Sequence, residues 1–291
     1  MIHSLIQTLL YITRKLVLIM TGQVIYSSQM LHTKKYAKLY FSIHDVSSIQ
    51  AIRFGSWDWF NIDCYRYLIR SRQISSNTFL DIGSNIGYYS CNLSGYFSSI
   101  LAFEPNPIAF NVLEANIMMV EQKSSTSHNC FNFALGSNVA PVNLKLSPYD
   151  NSSVSTFHRP LTTYDSYSSY NVQMLNASNM IFDNVADINA ISAIRINVDG
   201  SGISVLNGLL SFFKAVDTLP LLTIKMLDVV SNQQISNLLV GYGYRYFYSD
   251  KINKIKTHLG LSPFMYKLSP DELSVGRFYL VYCSSYPLNF E

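Results

Sequence analysis

Thr78-Phe79-Leu80-Asp81-Ile82-Gly83-Ser84-Asn85-Ile86-Gly87-Tyr88-Tyr89-Ser90 is the stretch whose reading decides the fold. An apolar run ends on a carboxylate, a turn follows with glycines at Gly83 and Gly87, and helix-compatible residues come next. The pattern predicts strand, tight loop, helix, the first unit of a nucleotide-binding type of α/β fold. Leu101-Ala102-Phe103-Glu104-Pro105-Asn106-Pro107 answers it, since the apolar run from Ser99 to Phe103 again delivers an acid.

Two kinds of ligand compete for such a loop. A dinucleotide needs a third glycine at the middle of the loop, where its pyrophosphate approaches bare backbone at a helix N-terminus. Asn85 stands there instead, and Asp81 adds like charge beside the phosphates. Pyrophosphate is therefore disfavoured, and an NAD-dependent oxidoreductase with it. S-adenosylmethionine has no phosphate, carries a sulfonium and an ammonium, and needs close backbone approach only at Gly83 and Gly87. Asp81 then becomes an attractive neighbour, and Glu104 is placed to accept both ribose hydroxyls. The plainer reading makes Asp81 a strand-end cap and Glu104 a surface acid; two motifs in register weigh against it.

At these residues the chain resembles the FkbM family of S-adenosylmethionine-dependent methyltransferases. The family's D-x-G-x-N-x-G is matched by Asp81, Gly83, Asn85 and Gly87, and its F-E-P-N-P by Phe103 to Pro107, with Phe110, Leu113 and Asn116 following as in the family's next helix. A third motif, usually I-K-I-D-V-E-G, is altered to Ile194-Arg195-Ile196-Asn197-Val198-Asp199-Gly200. The resemblance implies a class I methyltransferase fold: a seven-stranded, mostly parallel sheet with helices on both faces and its last strand antiparallel. It implies a methyl donor held by Asp81, Gly83, Ser84, Asn85, Gly87, Glu104, Pro105 and Asn106. The implied activity is O-methylation of a hydroxyl on a sugar, glycolipid or related natural product. The second acidic motif would lie beside donor and acceptor, which makes Asp199 and Asn197 the candidate catalytic pair.

The departures fall on the acceptor side. Asn197 replaces an Asp, Asp199 keeps a carboxylate one methylene shorter than the family's Glu, and Gly202 and Lys225 stand where Glu is common. An amide at position 197 can orient a hydroxyl but cannot take its proton or hold a divalent cation well. Either the acceptor differs from the family norm, or catalysis is weakened while cofactor or partner binding is retained.

Composition sets the outer bounds. A 291-residue chain with 48% apolar residues can bury a large core, and a net charge of +3 is too small and scattered to point to nucleic acid. Cys64, Cys91, Cys130 and Cys283 form no C-x-x-C pair and have no His at ligand spacing, so they read as buried thiols of a cytoplasmic protein without a metal site.

Alternating apolar strands and helices continue along the chain. The spacing predicts helices over 63–70, 108–119, 202–213 and 232–240, and strands over 129–135, 142–146, 193–198, 221–226, 244–248 and 278–282. The third strand would end near Ala134, where an adenine ring needs apolar cover. Residues 150–179, rich in Ser, Thr, Tyr and Asn, read as an irregular loop shaping the acceptor site, with Asn151, Ser152, Ser153, His158 and Arg159 as its polar candidates. Residues 1–60 form a helical, aromatic extension and 61–291 the methyltransferase domain. Within residues 1–30, Arg14 and Lys15 interrupt the apolar spacing well short of the ~20 residues a bilayer span needs. That leaves a helix packed on the domain or a partner, with peripheral membrane contact as the alternative. The aromatic segment at Phe54, Trp57, Trp59, Phe60, Tyr65 and Tyr67 reads as a leading helix packed on the sheet, or else as a lid.

Overall fold

Burial of alternate residues on opposite faces of β1 (Thr78–Ile82) sets the layers. Phe79 joins one core and Leu80 and Ile82 the other, and the two clusters share no buried residue. The computed structural model describes residues 37, 39–40, 58–146, 168–226, 229–249, 265–276 and 278–290. The expectations for residues 1–30, for Phe54 and Trp57, and for Asn151 to Ser153, His158 and Arg159 lie outside the described residues. Among the described residues no helix is long and apolar enough to cross a membrane.

Helix α1 (Trp59–Arg70) leads into β1, followed by α2 (Tyr88–Leu93), β2 (Ser99–Phe103), α3 (Pro107–Glu121) and β3 (Ser127–Phe131). A side excursion comes next: β4 (Ala134–Gly136), β5 (Ala140–Leu146), β6 (Ser168–Asn176) and α4 (Ala177–Asn184). The chain then returns through β7 (Ile191–Ile196), α5 (Gly202–Gly208), α6 (Leu210–Ala215), β8 (Leu221–Met226) and α7 (Val229–Tyr242). It ends with β9 (Tyr246–Ser249), β10 (Tyr266–Leu268), α8 (Pro270–Val275) and β11 (Phe278–Ser284).

The central sheet has the order β3-β2-β1-β7-β8-β11-β9-β10. β1, β2, β3, β7 and β8 are parallel, and the last strand, β11, is antiparallel to both its neighbours. Strand order reverses between β1 and β7, and in an open α/β sheet that is where a ligand crevice opens beyond the strands' carboxyl ends. α1 packs on the sheet as the leading helix: Tyr65, fully buried, meets Phe79 at 5.5 Å and Tyr282 at 5.8 Å between ring centroids.

Four expectations need correction. The main sheet has eight strands among the described residues, not seven, because β10 adds an antiparallel edge to β9. The third strand stops at Phe131, and Ala134 belongs to a separate three-stranded sheet ordered β4-β6-β5. Residues 168–176, read as irregular, are β6, whose residues 168–174 pair antiparallel with the whole of β5. Tyr170 and Val172 pack with Val142 and Leu144 on one face, which outweighs the turn preference of the intervening Ser, Asn and Gln residues. Finally, residues 202–213 form two helices rather than one. Gly208 ends the first against the backbone of Gly136, whose carbonyl oxygen would lie 2.0 Å from any Cβ there.

Candidate active site

The loop after β1 is shaped by its neighbours. The amides of Gly83 and Ser84 both donate to the Phe103 carbonyl, at 2.9 and 3.0 Å, so the chain turns over the end of β2. Gly83, Asn85 and Gly87 have φ of 80°, 52° and 81°. Glycine takes that left-handed region freely, and Asn is the side chain that tolerates it best. The sequence reading assigned both glycines to close ligand approach, but the chain itself requires them. A Cβ at Gly83 would meet the Asn197 carbonyl oxygen at 2.3 Å, and one at Gly87 would meet Leu113 at 2.6 Å.

Glu104 closes the loop from the end of β2. Its Oε2 accepts from the Asn85 amide at 2.8 Å and its Oε1 from the Asn106 amide at 2.9 Å, and the residue is buried. Charge-assisted bonds of this kind are the stronger ones, and they hold the carboxylate in one orientation. Pro105 leads to Asn106, whose Oδ1 accepts from the Ile108 amide and caps α3, with Pro107 at its first position. Asn132, which the sequence reading did not single out, donates to the Glu104 carbonyl at 2.9 Å from just past β3.

Asp81 departs from expectation. It is fully buried: Oδ1 accepts from Arg195 Nη1 at 2.7 Å and Oδ2 from the Ser90 hydroxyl at 2.7 Å. The physical reason is register, because Asp81 on β1 lies directly across from Arg195 on β7. The Arg195 guanidinium also sits 3.8 Å from the centre of the Tyr89 ring. Asp81 therefore supports the loop from beneath with its charge compensated by arginine.

A belt of buried polar contacts continues across that face. Tyr65 and Thr223 share a hydrogen bond of 2.6 Å, Tyr282 donates to Asn61 Oδ1 at 2.8 Å, and Tyr89 donates to Asp58 at the head of α1. Burial pushes the Tyr65 and Tyr282 phenols up, so both are neutral donors or acceptors there.

Beyond β7 and β8 the arrangement is more open. Asp199 Oδ1 pairs with Lys225 Nζ at 2.7 Å, and the two side chains are 31% and 20% exposed. Asn197, partly buried, continues the β1–β7 ladder by donating its amide to the Ile82 carbonyl at 2.9 Å. Ala134 is buried in β4, the first strand after the chain leaves the main sheet.

Three polar atoms at these strand ends are buried with no hydrogen-bond partner among the described residues: Ser84 Oγ, Asn85 Oδ1 and Ser201 Oγ. Each unmade bond of this kind costs about 1–3 kcal/mol, so these atoms suit a polar ligand that would satisfy them. These oxygens and the oriented Glu104 carboxylate are polar groups of the kind that the ribose and amino-acid portions of S-adenosylmethionine would need. Thiol catalysis is unsupported. Burial pushes the Cys91 and Cys283 thiols up and brings Cys130 to about 12, away from the reactive thiolate. Among the described residues no group of three or more His, Cys, Asp or Glu side chains is arranged to hold a metal.

A model of the methyltransferase FkbM domain matches residues 81–246. No curated protein matches the chain. Among solved structures it is similar to an rRNA methylase from Streptococcus thermophilus, with 10% identity, TM-score 0.43, and 76% of this chain and 93% of that one covered. M. jannaschii TYW2 in complex with AdoMet gives 10% identity and TM-score 0.40 over 90% of this chain and 88% of that one. M. capricolum TrmK in complex with S-adenosyl-homocysteine gives 10% identity and TM-score 0.37 over 78% and 68%.

Proposed function

The chain belongs to the FkbM methyltransferase family, and on that premise we propose that it is an S-adenosylmethionine-dependent O-methyltransferase acting on a hydroxyl of a sugar, glycolipid or related natural product. The observation that carries the donor half is the Glu104 carboxylate, fixed by two backbone amides beside a loop whose Ser84 and Asn85 side chains have buried oxygens without a partner among the described residues. Glu104 accepts the ribose hydroxyls, and Ser84, Asn85 and Ser201 complete the polar contacts. When bound, the cofactor supplies a methyl group activated on a positively charged sulfur.

The protein's own contribution is placement, and a well-oriented pair of reactants gains about 7–11 kcal/mol over free encounter. An acceptor hydroxyl must lose its proton as it attacks. Asp199 takes it through Oδ2, while Lys225 on Oδ1 holds the carboxylate in place and keeps N–H donors for the acceptor's other oxygens. Asn197 orients the same hydroxyl without exchanging a proton.

The ion pair also favours a second reading, in which Lys225 ties up the Asp199 carboxylate and the protein binds cofactor without transferring methyl groups. Methyl-labelled S-adenosylmethionine incubated with the full-length protein and glycan and glycolipid fractions separates the two. The first reading predicts label in an alkali-stable methyl ether, lost in Asp199→Asn. The second predicts cofactor binding with no label in any fraction and no gain in Asn197→Asp.

A further inference from the structure

Residues Ala37, Leu39 and Tyr40 lie far from the donor loop in sequence but are fastened to the same support. The Ala37 amide donates to Asn92 Oδ1 on α2 at 2.8 Å, and the Tyr40 amide donates to Asn116 Oδ1 on α3 at 2.6 Å. Asn116 Nδ2 donates back to the Tyr40 carbonyl at 3.2 Å and to the Ile86 carbonyl, inside the donor loop, at 2.7 Å. Between the two anchor points Leu39 is fully buried, in the same core as Ile86, Tyr88 and Leu113.

The chemistry of Asn116 makes this arrangement more than packing. The side chain is fully buried, and its amide has two N–H donors and one carbonyl. One donor and the carbonyl read the main chain of Tyr40 as a neighbouring strand would, and the other donor fixes Ile86, one residue after the Asn85 amide that holds Glu104. If Ala37, Leu39 and Tyr40 lift away, the carbonyl and one N–H of a buried amide lose their partners. Such groups are costly to leave unpaired, so the amide would turn and release Ile86.

We propose that Ala37, Leu39 and Tyr40 form a strap that sets the donor loop, with Asn116 as the positioning residue joining the two. The inference rests on the methyl-donor reading above. Its consequence follows from linkage: a ligand that fixes the loop must tighten the strap by the same factor by which the docked strap tightens the ligand. Couplings of this kind are worth roughly five- to 150-fold in affinity. The strap thus couples Ala37, Leu39 and Tyr40, through Asn116, to occupancy of the proposed donor site.

Residue-resolved amide exchange on the full-length protein, with and without S-adenosylhomocysteine, tests this directly. The expected result is slower exchange at the Tyr40 amide when the ligand is present, beyond any change along α7. A second arm uses Leu39→Asp, which expels the strap and leaves Asn116 and the loop residues intact. With folding verified by circular dichroism, its S-adenosylhomocysteine affinity should fall by about tenfold or more, within the range of such couplings. Ligand binding to the wild type with unchanged Tyr40 exchange, or a folded Leu39→Asp protein that binds as tightly as wild type, overturns the strap. A wild-type protein that takes up no S-adenosylhomocysteine overturns the donor reading as well, so the two failures are told apart.

Discussion

The two halves of the crevice are built differently. At the ends of β1 and β2, the loop amides reach the Phe103 carbonyl and Glu104, Asp81 is sealed under Arg195 and Ser90, and Asn116 holds Ile86. At the ends of β7 and β8, among the described residues, the partly exposed Asp199–Lys225 ion pair carries the charge and Ser201 Oγ has no partner. The proposed donor half is preorganised by the fold, whereas the proposed acceptor half is held by fewer contacts among the described residues. Rigid placement suits a constant ligand, and a sparsely tied rim is where acceptor specificity can change without disturbing the sheet.

Substitutions that separate the halves sharpen that contrast. The largest effect is expected at Asp199. If it takes the acceptor's proton, Asp199→Asn lowers the methyl-transfer rate by about 10²–10⁴-fold with S-adenosylhomocysteine affinity unchanged, as measured by labelled transfer beside calorimetry. Arg195→Met should follow, leaving a buried aspartate without its cation. Breaking such a pair costs about 3–5 kcal/mol, to be read from urea unfolding, whereas Lys225→Met at the more open pair should cost under about 1 kcal/mol. Glu104→Gln removes the charge from the bonds that orient the carboxylate and, on the donor reading, weakens S-adenosylhomocysteine binding by roughly tenfold or more.

The smallest effect concerns the edge of the donor half. The His128 side chain on β3 is buried, with Nδ1 3.4 Å from Glu121, and burial holds its pKa below the ordinary histidine value despite that carboxylate. The unfolded chain therefore takes up a proton at a higher pH than the folded one. Stability is unaffected well above the unfolded histidine pKa of about 6.5 and is lost as pH falls through it toward the lower folded value. His128→Asn should flatten the unfolding free energy between neutral and mildly acidic pH, and an unchanged slope would remove His128 as its source.

Legibility in the sequence follows the range of the interactions. The donor loop was readable because its signals are local: the positive-φ positions at Gly83 and Gly87, the acid ending β2, and the proline and Asn106 cap opening α3 lie within a few residues of what they shape. The compensation of Asp81 was not, since its partner is 114 residues away in the chain and is fixed only by β1–β7 register. A signal was present in Arg195, the one charge in the buried strand β7, which has to find a buried acid. β6 was missed because its Ser, Asn and Gln residues resemble a loop until β5 covers Tyr170 and Val172. Asn116 was visible as a motif residue, but its hold on Tyr40 and Ile86 is purely tertiary.

Calorimetric titration of the full-length protein with S-adenosylhomocysteine tests the central claim most directly. The account predicts saturable one-to-one binding that Glu104→Gln weakens. A folded wild-type protein that releases no binding heat and gains no thermal stability with the ligand would contradict it.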